Sequence, residues 1–192
     1  MRCFDPRRVG ALECDTWVTY YRRRWWPFLR AAVAVVRHAF GLPWRKTLYG
    51  AWLVLRANQL WAPADNDPDG ARRCMRRFYA LVANHHSESI DVAQAARLEV
   101  EWWRAHRELQ HGRGREDSDE RPLVDALAAL YAHVYGVPPA DVQLAAAQRA
   151  LAMRHSDAWV AAGCPQVSVL VEQERAALVR SYAALLAAVH LP

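Results

Sequence analysis

Two short stretches of the chain repeat one pattern. Leu12-Glu13 is followed by Trp17 and Tyr20, and Leu98-Glu99 by Trp103 and His106. In each, a carboxylate, an indole and a polar ring stand at i, i+4 and i+7. On a helix these positions fall within about 60° of one another, so each stretch shows one mixed stripe. Both stripes border apolar positions. A carboxylate held there needs a partner, or its proton affinity rises.

Were the two stripes to face each other, Glu13, Tyr20, Glu99 and His106 would converge into a buried polar site. Carboxylates and histidines from facing helices hold metals in carboxylate-bridged bundles. On that reading Glu13, Glu99 and His106 are the candidate ligands for a divalent metal. Glu13 and Glu99 would otherwise serve as acid/base groups, His106 as a proton shuttle and Tyr20 as a proton donor or anion stabiliser. The spacing argues against the metal. Bundle motifs use Glu-x-x-His, whereas Glu99 and His106 lie two helical turns apart. The one literal match, Glu108 to His111, falls on the solvent side at a helix end. The plainer alternative pairs Glu13 and Glu99 with arginines of neighbouring helices.

A second cluster is Arg22-Arg23-Arg24-Trp25-Trp26. Indole and guanidinium both tolerate a membrane headgroup zone, and they also suit phosphates with stacked bases. The plain alternative is a basic rim over a tryptophan core. That rim is the leading expectation; no nucleic-acid motif accompanies the cluster, so of the two contacts a lipid or protein one is expected ahead of a nucleic acid. Asp65-Asn66-Asp67-Pro68-Asp69-Gly70 matches the start of a calcium loop, but Arg76 stands where the closing acid belongs. It reads as a turn with a helix cap. No nucleophile elbow and no phosphate-cradling glycine loop is present.

The elements that must position these residues are helices. Prolines 6, 43, 68, 122 and 138–139 each precede a long helix-compatible stretch, where a missing N–H costs nothing. Asp5, Asp67 and Asp91 can cap such starts, and Gly41, Gly136 and Gly163 mark stops. The segments are 6–26, with a break at Pro27 and a continuation to about Phe40, then 43–61, 69–84, 91–111, 122–135, 139–162 and 168–190. The polar site would lie between the first and fourth of these helices, 6–26 and 91–111. Leu123, Leu127, Leu130 and Val134 share one face, as do Leu178, Leu185 and Val189. No segment alternates as a strand does. The expectation is an all-α fold: a single-domain bundle of six to eight helices with short proline-initiated connections, spanning 1–192. A mobile polar loop is expected at about 112–120.

Composition sets the remaining bounds. The chain has 192 residues, of which 53% are hydrophobic and 23% charged, which excludes disorder. Its net charge is +5. Lys46 is the only lysine among 25 cations, an imbalance that matches a GC-rich bacterial coding sequence. Cys3, Cys14, Cys74 and Cys164 form no metal-binding or disulfide spacing, and the expected compartment is the cytoplasm. The tryptophans, mostly before residue 104, are expected to fill a bulky N-terminal core. The function expected is that of a helical-bundle protein that binds a partner without chemistry of its own. That partner would be another protein, a second copy or a membrane surface, rather than a nucleic acid. The alternative is a metal- or small-ligand-binding enzyme using the buried site, and only there would a divalent metal or small molecule enter.

Overall fold

The computed structural model describes residues 2–112 and 119–190. They form eight α-helices: α1 (Pro6–Tyr21), α2 (Trp25–Phe40), α3 (Trp44–Trp61), α4 (Pro68–His86), α5 (Val92–Gly112), α6 (Arg121–Tyr135), α7 (Gln143–Ala161) and α8 (Val169–Ala188). A short 3-10 turn, Pro139–Val142, leads into α7. No strand occurs among the described residues. The protein is an all-α bundle. Most of the loop expected at 112–120 lies outside the described residues.

Local chemistry sets the helix ends. Asp5 accepts hydrogen bonds from the Arg7 and Arg8 amides at 2.9 and 3.3 Å, and Asp67 from the Gly70 amide at 2.8 Å. Asp91 does the same for the Ala93 and Gln94 amides at 3.0 and 3.1 Å. Each occupies backbone donors that the first helical turn leaves without partners. Gly41 and Gly136 close α2 and α6 with φ of 60° and 65°, a left-handed conformation that glycine adopts without a side-chain clash.

Two boundaries differ from the sequence reading: the helix expected from 139 begins at Gln143, after the 3-10 turn, and the break before α2 comes early. The break expected at Pro27 falls at residues 22–24, and Pro27 sits inside the first turn of α2. A proline ring clashes with the carbonyl four residues upstream, here that of Arg23. The chain therefore leaves the helix before the proline. Arg23 takes a left-handed φ of 55°, and the Arg23 and Arg24 amides bond back to the carbonyls of Tyr20 and Thr19.

Successive helices pack on one another, and α8 returns to pack on α1, so the bundle closes on itself. The main core is drawn mostly from α3 to α8 and includes Leu53, Val82, Val100, Leu123, Leu127 and Leu185. Cys14, Ala152, Ala177 and Leu178 form a smaller core where α1, α7 and α8 meet. Gly10 lets α1 approach α8 closely: a Cβ there would stand 2.8 Å from the Val179 amide nitrogen. Of the tryptophans in α2 and α3, Trp61 packs against the core beside Trp103, but the other four do not fill it as expected. Trp25, Trp26, Trp44 and Trp52 are all more than half exposed.

Candidate functional site

The two Glu–Trp stripes lead to one largely enclosed arginine, its side chain 13% exposed. Arg149 of α7 reaches Glu13 of α1 through both terminal nitrogens, with Nη1 to Oε2 at 3.1 Å and Nη2 to Oε1 closer still. The Tyr182 hydroxyl of α8 donates to Glu13 Oε2 at 2.5 Å. The guanidinium also lies over the Trp102 ring of α5, 5.6 Å from its centre. Four helices thus meet at one charge. A two-pronged arginine–carboxylate pair supplies both direction and strength. Burial opposes the charge on Arg149, but Glu13 beside it, with Tyr131 and Tyr182, holds the group well above the ordinary arginine range. Burial and the Glu13 charge push the Tyr182 phenol well up.

Glu99 occupies a separate nest. Tyr79 donates to its Oε2 at 2.5 Å and the Trp102 indole to its Oε1 at 3.2 Å. Burial raises its pKa against the opposing pull of Tyr79, Arg149 and the indoles of Trp102 and Trp103. Glu13 and Glu99 are therefore tied to the same arginine, Glu13 by direct contact and Glu99 through its field. The other two candidates go elsewhere. Tyr20 is 37% exposed and packs with Tyr21, Trp25 and Phe28. His106 lies 2.9 Å from Asp157 of α7, whose second oxygen accepts from Gln110 at 2.7 Å.

Sequence reasoning did not single out Arg149, Asp157 or Tyr182, and it missed Glu174. Glu174 of α8 is 1% exposed, and its Oε2 meets no hydrogen-bond partner among the described residues. Burial first, then the charge of Glu13, raises its pKa to about 8. The carboxyl is thus held protonated at neutral pH. Among the described residues, no three histidine, cysteine or acidic side chains group closely enough to hold a metal. The Glu13, Glu99 and His106 side chains meet arginine, phenol, indole and aspartate instead. A cleft of about 350 Å³ opens elsewhere, lined by Asp69, Arg72, Arg73, Arg76, Ala93 and Ala96. Two of its arginines already pair with acids, Arg72 with Asp69 and Arg73 with Asp67.

The outer surface of α2 and α3 is different in kind. Between Asp15 and Asp65 the chain carries no acid in 49 residues, and it carries eight cations. Trp44, Leu48, Tyr49 and Trp52 project from α3 at 58, 55, 45 and 52% exposure. Tyr49 and Trp52 stack 5.9 Å apart, and Arg37 of α2 lies 4.2 Å over the Trp44 ring. Arg45 and Arg56 are exposed on the same helix. On α2, Trp26 is 79% and Leu29 39% exposed.

The Arg22–Trp26 cluster is divided. Arg22 turns back onto the carbonyls of Pro165 and Gln166 at 2.6 and 3.1 Å and lies over Trp159. Trp25 packs on Tyr20 and Phe28, while Arg23, Arg24 and Trp26 stay exposed. The signal for the α3 ridge was present in the sequence, as the i, i+4, i+8 spacing of Trp44, Leu48 and Trp52 and the long acid-free stretch. The chain matches no protein-family model, no curated protein and no solved structure.

Proposed function

We propose that the protein is a cytoplasmic binding module that performs no chemistry and docks through the aromatic, arginine-flanked face of α2 and α3. One observation carries this reading: Trp44, Leu48, Tyr49 and Trp52 stand in water on a single helix, inside 49 residues that hold eight cations and no acid. Contiguous apolar surface on a folded domain marks a contact site more often than scattered apolar residues do. Tryptophan, tyrosine and arginine are also the residues that dominate binding surfaces. The buried polar groups support a structural role beside it. Both oxygens of Glu13 are occupied by Arg149 and Tyr182, and those of Glu99 by Tyr79 and Trp102. A metal- or small-ligand-binding enzyme built on Glu13, Glu99 and His106 finds no comparable support.

The test is the native state of the protein in a cell extract. The parent chain is expected to run in a larger assembly or to pellet with membranes, with or without nuclease treatment. The variant W44A/L48A/W52A, altered only at exposed positions, is expected to keep its helical spectrum and to run as a monomer, close to the 21.9 kDa of a single parent chain. Identical behaviour of the two chains would refute the proposal.

A further inference from the structure

We infer that the occupant of the α2–α3 face is an anionic bilayer surface, with α3 lying along it. This rests on that face being the contact surface. The arrangement of residues around α3 is the first argument. At 100° per residue, Trp44, Leu48 and Trp52 fall within an arc of about 80°, and Arg45, Arg56 and Tyr49 within the next 60° or so. An apolar arc bordered by arginines suits a helix at the boundary between acyl chains and headgroups. The indoles and Leu48 enter the apolar side, and the guanidiniums reach back to lipid phosphates.

Charge decides between occupants. A second copy docked through the same face would set arginines against arginines, because a twofold interface repeats one patch on both sides. The acid-free stretch leaves Arg23, Arg24, Arg30, Arg45 and Arg56 exposed, and a surface so charged calls for a negative partner. A nucleic acid would stack on Trp44 and Trp52 but offers nothing to Leu48 or to Leu29. An anionic bilayer answers both the aliphatic and the cationic residues. No helix among the described residues is long and apolar enough to cross a membrane, so the contact would lie at the surface.

The experiment is co-sedimentation of the full chain with vesicles of phosphatidylcholine alone or with about 30% phosphatidylglycerol. Binding at low salt is expected to be at least roughly tenfold stronger on the anionic vesicles and to be lost by about 0.5 M salt. W44A/L48A/W52A and R45E/R56E are each expected to weaken it about tenfold or more while their helical spectra match the parent. Equal binding to both vesicles, or parent-like binding by the variants, would overturn the inference. So would no vesicle binding at low salt. If the extract assembly then persists and still depends on the α3 stripe, an acidic protein is the occupant and the proposed function stands. If stripe and parent chains behave alike in the extract, both fall together.

Discussion

Removing the Arg149 guanidinium would leave Glu13 as a buried charge with, among the described residues, the Tyr182 hydroxyl as its remaining side-chain donor. The loss of one member of such a pair costs more than the pair contributes, because the survivor stays desolvated. Arg149→Met is therefore expected to destabilise the protein by about 3–5 kcal/mol in urea unfolding. Adding Glu13→Leu should recover most of that loss, and a double variant no better than the single would contradict the keystone role. Glu174 makes a separate prediction. Its folded pKa of about 8 lies above its ordinary value of 4.5, so the folded state binds the proton more tightly. Its contribution is fully present below about pH 4.5 and is lost as the pH rises towards 8. Glu174→Gln should flatten that part of the pH dependence of thermal unfolding between pH 5 and 8.5, and an unchanged slope would count against it. The stripes that hold Glu13 and Glu99 were visible in the sequence, but Arg149 was not. It stands 136 residues from Glu13 on an alanine-rich helix, and nothing local separates it from the other arginines.

At the scale of the element, the helix count and most ends were legible because they rest on local chemistry. An aspartate cap, an early proline and a glycine stop act within one turn. The break before α2 was read too late because a proline disrupts the backbone four residues upstream of itself, not at its own position. Which arc of α3 faces inward was not legible. Leu53 and Ala57 line one side and Trp44, Leu48 and Trp52 another, and only packing on α4 decides between them. The crossing of α1 on α8 provides an element-scale test. A methyl at residue 10 would meet backbone atoms of Val179 at 2.8 and 2.9 Å, which cannot swing aside as a side chain can. Gly10→Ala should thus cost about 1–3 kcal/mol despite alanine's better helix propensity. A lower denaturation midpoint checks this, and a stabilised variant would show that α1 can shift away from α8.

Over the whole molecule, the charges are divided between inside and outside. The acids at Glu13, Glu99, Asp157 and Glu174 are turned inward and satisfied or neutralised among α1, α5, α7 and α8, while the acid-free α2–α3 stretch leaves Arg23, Arg24, Arg30, Arg45 and Arg56 and several of its aromatics exposed. That division separates what holds the bundle together from what it presents. The most direct test of the docking face uses tryptophan fluorescence with anionic vesicles whose acyl chains carry bromine, a short-range quencher. The parent protein should be quenched on binding. A W44F/W52F variant keeps aromatic rings on the ridge, so it should still bind, yet lose at least about half of the quenching. Quenching undiminished in that variant, with binding intact, would mean that another surface of the protein meets the lipid.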